Sequence, residues 1–277
     1  MHSDFTQAET AASVYISDEV SLVSSPATGE GKTKGMAKGL FLRYRGRTFA
    51  GESAGFGLPV LKRRCHTFFP SLVSTRSISM TKCEMVFQLD RVERLHVLGV
   101  KIPNVFSWVV EPLLQAYMRI PKYQQSLLKV GETLRSRFDA YGFIVPGFNQ
   151  GRCRVHYEVR DTTLAVEVDA SHLLRRGQLI ILNEVSGIPF DRLRIGERVW
   201  EGTEIPAWRI VPFGSVLESA SAGCGFSIVL PDESAEAFSR LACGREVAKN
   251  LNWAGFALTT SQARCAYRVK FHHNEGK

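Results

Sequence analysis

Strict alternation of apolar and polar residues over residues 153–169 is the feature that most constrains the fold of this chain. In CRVHYEVR, residues 153–160, cysteine, valine and tyrosine alternate with arginine, histidine and glutamate. The alternation resumes in LAVEVD, residues 164–169, after the polar residues DTT. A period of two is the repeat of a β-strand with one buried face, and a short polar break between two such runs is typical of a turn. The segment therefore predicts a β-hairpin with one face in the core and one in solvent.

Similar runs occur on both sides of this hairpin. KGLFLRYRGRTF, MVFQLDRVERLHVLGV and the C-terminal ARCAYRVKFHH alternate in the same way, and GQLIILNEVSG has the apolar content of a more deeply buried strand. Because 44% of the 277 residues are hydrophobic, the chain can form a sizeable core. We therefore expect a mainly β fold, either an antiparallel β-sandwich or a wide β-barrel, with short helical insertions.

Composition divides the chain into a leader and a β-rich domain. Residues 1–35 are rich in Ser, Thr, Ala and Gly, which predicts a disordered leader. Residues 36–277 are expected to form the β-rich domain, as one unit or as two stacked meanders. Helix-like spacing over 104–138, interrupted by prolines, predicts a partly helical crossover between the meanders. DESAEAFSRLA, residues 232–242, predicts a short helix with Asp232 as its N-cap.

Cysteine spacing and the length of the apolar runs give further expectations. The six cysteines stand far apart, without a C-x-x-C pair or a histidine at zinc-ligand spacing, which predicts free buried thiols and no metal site. PATGEGKT has a proline where a phosphate loop requires its first glycine, so we expect no nucleotide cofactor. No apolar run reaches the roughly 18 residues of a membrane span, and the N-terminus lacks the order of a secretory signal. The expected compartment is the cytoplasm.

Positive charge is concentrated in the first third of the presumed domain. The net charge is +8, and Phe41, Arg43, Arg45 and Arg47 alternate along one strand-like run. Nucleic-acid binding requires basic residues interleaved with exposed aromatic side chains, and this run is the nearest approach to that pattern. Without a recognised nucleic-acid motif, a solvated strand face is favoured. A small molecule is the expected class of partner, and the sequence leaves the oligomeric state open.

GESAG, residues 51–55, resembles the G-x-S-x-G nucleophile elbow of serine esterases. The resemblance implies Ser53 as nucleophile with an acid and a histidine downstream, such as Asp191 and His272. An esterase elbow lies between a parallel strand and a helix, however, and the following GFGLP opposes a helix. A glycine-rich turn or bulge that joins two strands at the rim of a cavity is therefore favoured.

Other residues of catalytic type lie near such a rim or near strand ends. Glu52 and Phe56 flank the glycine-rich turn and are candidate cavity-lining residues. Glu184, at the end of LIILNEVSG, could complete with Glu52 the pair of carboxylates that acid–base work on a glycoside requires. His156 and Tyr157 of the alternating hairpin are the supporting catalytic candidates.

Aromatic side chains supply the candidates for ligand binding. Trp200, Trp208 and Trp253 could stack on a sugar ring or an apolar ligand, and Phe56 joins them as a cavity-lining residue. The leading hypothesis is therefore a binding module for an apolar or carbohydrate-like small molecule. The alternatives are a carbohydrate-active enzyme that uses the two glutamates and, behind it, a serine esterase that uses the elbow serine.

Overall fold

The computed structural model describes residues 13–24, 39–49, 55–63, 66–97, 100–101, 141–174, 177–186, 190–205, 208–248 and 251–273, and these residues are mainly β. Their strands are β1 (Ser13–Tyr15), β2 (Val20–Ser24), β3 (Leu40–Tyr44), β4 (Arg47–Phe49), β5 (Gly55–Arg63), β6 (His66–Ser79), β7 (Lys82–Val97), β8 (Val100–Lys101), β9 (Tyr141–Arg160), β10 (Thr163–Asp169), β11 (Gln178–Ser186), β12 (Arg192–Ile195), β13 (Arg198–Glu201), β14 (Arg209–Val211), β15 (Val216–Ser219), β16 (Cys224–Val229), β17 (Arg240–Ala248), β18 (Leu251–Thr260) and β19 (Arg264–His273). Two short 3₁₀ helices are Gly202–Glu204 and Asp232–Ala237.

The described strands pair antiparallel in one large open sheet. Its main order is β14, β17, β18, β11, β5, β6, β7, β9, β10, β19, β16, β15, β12, β13. Strands β1 to β4 form a smaller antiparallel extension, which joins β5 through the pair of Leu40 and Phe56. In this order β13 and β14 are the two edges. The expected mainly β antiparallel fold is confirmed, in its open, sandwich-like form.

The predicted hairpin is formed by β9 and β10. Arg160 pairs with Thr163, so Asp161 and Thr162 are the two residues of the loop. Both have positive φ angles, 46° and 68°, as the central residues of a type I′ turn require. This turn matches the right-handed twist of the strands, and the alternating side chains then divide between the core and the outer surface.

Aromatic side chains join the two layers of the folded sheet. The Phe56 ring of β5 lies 5.1 Å from that of Phe226 on β16 and 5.9 Å from that of Phe271 on β19. The Phe226 ring also meets that of Phe256 on β18 edge to face, at 5.5 Å. Strands β5 and β18 therefore face β16 and β19 across a tightly packed core. We call the opposite surface of the layer that contains β19, β16, β15, β12 and β13 the outer face.

The prediction of a disordered leader over residues 1–35 is wrong for residues 13–24. These residues form β1 and β2, and the side chains of Val14, Val20 and Leu22 are buried. The segment is rich in serine, yet its apolar residues recur at strand spacing, and pairing with β3 buries them. The rest of the leader, like the whole of the crossover predicted over 104–138, lies outside the described residues.

The helix predicted over residues 232–242 is shorter than expected. Asp232 is the first residue of the 3₁₀ helix rather than its N-cap, which is Pro231. The chain turns into β17 at Arg240, because Leu241 and Cys243 then alternate into the core. No helix of the described residues is long and apolar enough to cross a lipid bilayer.

Buried thiols are confirmed for the cysteines that the structure describes, which are free. Burial raises the pKa of the Cys83, Cys224 and Cys265 thiols to about 12. It also raises the pKa of the Cys153 and Cys243 thiols. These thiols are therefore protonated at neutral pH and pack as small apolar side chains. Cys65 lies outside the described residues.

Candidate functional site

Phe56 and Tyr157, which the sequence analysis treats as site residues, meet inside the core. Both side chains are buried, and the Tyr157 hydroxyl donates a hydrogen bond to the Phe56 carbonyl oxygen at 2.7 Å. Burial raises the pKa of Tyr157 well above its usual value. The phenol is therefore a neutral hydrogen-bond donor that links β9 to β5. It lies in the closely packed core and is not in contact with solvent.

The Phe56 carbonyl is available to Tyr157 because β5 bulges at this point. Leu58 pairs with Leu182 and Gly55 pairs with Glu184, so two residues of β5 lie opposite Asn183 alone. Gly57, the second of these two residues, has a φ of +74°, a conformation that glycine tolerates and few other residue types do. A bulge frees backbone groups from the sheet ladder, and in a core they require other partners.

Asn183 supplies one of those partners and was missed as a functional residue of the core. Its Oδ1 accepts hydrogen bonds from the Gly57 amide at 3.1 Å and from the Tyr267 hydroxyl at 2.6 Å. Its Nδ2 has no hydrogen-bond partner among the described residues. The signal in the sequence was its place on the inward side of β11, where the neighbouring inward residues Ile181 and Val185 are apolar.

Glu184 lies on the other side of β11 from Asn183. It pairs with Gly55 on β5 and with Gly255 on β18, and it is 6% exposed. Its predicted partner Glu52 lies outside the described residues, as does Ser53. The hypothesis of a Glu52 and Glu184 acid–base pair therefore stays a prediction.

His156 and Tyr157 do not face the same site. Because neighbouring residues of a strand point to opposite faces, Tyr157 points into the core and His156 points outward. The His156 Nδ1 atom lies 3.3 Å from the Glu84 Oε2 atom on the adjacent strand β7. This histidine is thus part of a partly exposed cross-strand pair, on the opposite face of β9 from the Tyr157 hydroxyl that binds the Phe56 carbonyl.

Trp200 is held between two arginines at the edges of the sheet. It lies on β13, and its ring has the Arg198 guanidinium at 5.0 Å and the Arg209 guanidinium at 5.3 Å from its centroid. Since Arg209 is on β14, these cation–π contacts join the two open edges. The backbone of Trp208 has a positive φ of 52°. The side chain of Trp253 lies outside the described part of the structure.

An open depression of about 770 Å³ lies on the outer face beside Trp200. Its floor is fixed by two backbone contacts of Asp191, whose Oδ1 accepts from the Ala220 amide at 3.1 Å and whose carbonyl accepts from the Gly202 amide at 2.7 Å. The Arg192 Nε atom and the Glu201 Oε1 atom are 2.8 Å apart across β12 and β13. The lining residues are Asp191, Arg192, Val199, Glu201, Gly202, Glu204 and Ala220.

A second group of polar side chains occupies the same face further along the layer. The Ser227 Oγ atom on β16 lies 2.9 Å from the His272 Nε2 atom on β19. Partial burial, with Lys270, Arg194 and His273 nearby, lowers the pKa of His272 to about 4. The imidazole is therefore uncharged at neutral pH. His272 was expected to act with Ser53, and Asp191, its proposed acid partner, instead fixes the floor of the depression.

No protein-family model and no curated protein matches this chain. Fold class alone does not define a function, because β-sandwich architectures carry many unrelated activities. The depression and the Ser227 and His272 pair are the two polar groupings of the described outer face from which a function can be inferred.

Proposed function

We propose that the protein binds a small, hydroxyl-rich, carbohydrate-like ligand in the depression beside β12 and β13. The observation that carries this proposal is the composition of the lining, in which three carboxylates and one guanidinium surround two small aliphatic side chains. Carboxylates accept hydrogen bonds from ligand hydroxyls, and a guanidinium donates to ligand oxygens. Such a lining favours a carbohydrate-like ligand over an apolar one.

Individual residues have distinct roles in this binding mode. Arg192 and Glu201 hold each other at 2.8 Å, so each presents its remaining donors or acceptors in a fixed direction. Glu204, in the first 3₁₀ helix, adds a further acceptor to the lining. Val199 is 44% exposed and offers an apolar surface to the C–H groups of a sugar ring. Arg198 and Arg209 already contact the Trp200 ring, and a contact of this ring with the ligand stays a prediction.

Titration with sugars tests the proposal. We expect glucose, maltose or cellobiose, added up to roughly 50 mM, to shift the amide NMR signals of residues 191–204 with a dissociation constant in the millimolar range. Glu204→Ala should weaken binding about tenfold, which corresponds to about 1.4 kcal/mol. The matched control is Glu236→Ala in the second 3₁₀ helix, an exposed glutamate away from the depression, and it should leave binding unchanged. If none of the three sugars shifts these signals, or if both variants bind as the unmodified chain does, the proposal is wrong.

A further inference from the structure

Ser227 and His272 have the geometry of a hydroxyl activated by an imidazole. They lie on the neighbouring strands β16 and β19, two residues apart in register and so on the same face, since Ser227 pairs with Lys270 and Gly225 pairs with His272. The Ser227 Oγ and His272 Nε2 atoms are within hydrogen-bond distance, at 2.9 Å. In the tautomer with its proton on Nδ1, the imidazole accepts the serine proton, which is the contact that a general base requires.

An uncharged imidazole is maintained by the groups around it. Lys270 and His273 flank His272 on its own strand, and Arg194 approaches from β12, while β15 contributes Glu218. Together with partial burial, the cations disfavour a protonated His272 at neutral pH. The neutral imidazole can therefore accept a hydrogen bond from Ser227 on Nε2. Because a histidine of such low pKa is a weak base, acylation should be slow and should require an ester with a good leaving group.

Glu218 pairs with Arg194 in the neighbourhood of His272. The Arg194 Nη2 and Glu218 Oε1 atoms are 2.6 Å apart, and the Glu218 side chain is 9% exposed. Glu218 pairs with Gly225, which pairs with His272, so the glycine lies between the carboxylate and the imidazole. A Cβ atom on Gly225 would lie 2.8 Å from the Glu218 Cγ atom, so only glycine lets Glu218 lean across the strand. Glu218 thus neutralises Arg194 near the imidazole, and the exposed Lys270, opposite Ser227, carries the remaining positive charge.

We propose that Ser227, assisted by His272, is a nucleophile that accepts acyl groups from small esters of anionic acids. Ser227 is 2% exposed, so the acyl group must be small and the side chains that cover the hydroxyl must move to admit it. Lys270, its exposed cross-strand neighbour, attracts the negative charge of the acid. This site is distinct from the sugar-binding depression, and a sugar titration does not report on it.

The reaction requires no further cofactor. The Oγ atom bonds to the ester carbonyl carbon while its proton passes to the His272 Nε2 atom. The tetrahedral intermediate then expels the leaving alcohol, whose oxygen takes the proton back from the imidazolium. Water attacks the resulting acyl-serine in the same way, and the anionic acid is released with the serine restored.

We test this proposal by acylation with p-nitrophenyl hemisuccinate. The absorbance of the released p-nitrophenolate gives the rate, and peptide mass mapping locates the acyl group. We expect the succinyl group on Ser227, acylation by the neutral ester p-nitrophenyl acetate to be about tenfold slower, and His272→Gln to slow succinylation by at least about tenfold. Ser227→Ala should abolish it.

Ser215→Ala is the matched control, because Ser215 is equally buried but its hydroxyl donates to the Pro212 carbonyl at 2.7 Å instead of to a histidine. It should leave the rate unchanged, and circular dichroism checks that each variant is folded. The proposal is overturned if folded Ser227→Ala or His272→Gln retains the full rate, if the label is found on a lysine or histidine instead, or if the acetate reacts as fast as the succinate.

Discussion

Replacing Asn183 should destabilise the protein far more than removing the hydroxyl of Tyr267, although the two side chains form the same hydrogen bond. Asn183→Ala deprives two buried donors, the Gly57 amide and the Tyr267 hydroxyl, of their shared acceptor. Tyr267→Phe removes one donor and leaves the Asn183 Oδ1 atom still bound to Gly57. The asymmetry follows from the fact that an unsatisfied buried polar group costs more than a lost bond whose partner remains satisfied.

The magnitudes follow from this count of orphaned groups. Each buried donor that loses its acceptor destabilises the protein by about 1 to 3 kcal/mol. Removal of the unpartnered Asn183 Nδ2 atom offsets part of this loss. Asn183→Ala should therefore lower the free energy of unfolding by about 2 to 4 kcal/mol. Tyr267→Phe should lower it by about 1 kcal/mol. Most measured point substitutions cost less than the first value.

Urea unfolding followed by tryptophan fluorescence, combined with hydrogen exchange, measures both quantities. The Gly57 amide should exchange faster in Asn183→Ala and keep its protection in Tyr267→Phe, because only the first variant removes its acceptor. Equal losses of stability in the two variants, or unchanged exchange at Gly57 in Asn183→Ala, would refute the assignment of Asn183 as the shared acceptor.

Three further predictions concern the bulge, the outer face and the thiols. In urea unfolding, Gly57→Ala should lower the free energy of unfolding by at least about 2 kcal/mol more than Gly46→Ala does. Both glycines have φ above +70°, but only a Cβ on Gly57 would meet other atoms, such as the Tyr157 hydroxyl at 2.9 Å. Equal losses of stability would show that this close contact is unimportant. The pKa of His272 is lowered to about 4, so the unfolded chain takes up the proton first, and the stabilisation present above pH 6.5 should be lost as the pH falls toward 4. After allowance for the exposed part of the ring, this loss is about 1 to 2 kcal/mol, and it should be missing from the urea midpoints of His272→Gln. Iodoacetamide at pH 8 should leave five buried thiols unmodified until urea is added, as peptide mass mapping can show. Rapid labelling of these thiols in the native protein would contradict their burial. They are Cys83, Cys153, Cys224, Cys243 and Cys265.

Local alternation was sufficient to predict the hairpin of β9 and β10, including its turn, because both strands and their loop are contiguous in sequence. The prediction was wrong at residues 13–24, where the serine-rich composition was given more weight than the strand spacing of Val14, Val20 and Leu22. Propensity and composition are weak guides when tertiary pairing buries the apolar side of a segment.

The polar networks could not be predicted from local patterns. Asn183 binds a backbone amide 126 residues away, and Ser227 meets a histidine 45 residues away. Both contacts depend on strand register, and a shift of one residue would turn each side chain to the other face. Sequence patterns drew attention to His272 and Glu184 without their neighbours, because those neighbours belong to strands whose pairing no short segment specifies.

The position of β5 in the sheet has a consequence for how the chain is made. Lys62 on β5 pairs with Gln178 on β11, which the ribosome adds only after β6, β7, β9 and β10. At about 5 to 20 residues per second, this edge of the nascent chain stays without its partner for roughly ten seconds. During that time an apolar strand with unpaired backbone groups is a target for aggregation and for chaperones. Slower initiation or added chaperone should therefore raise the yield of folded protein more than any change to the finished surface.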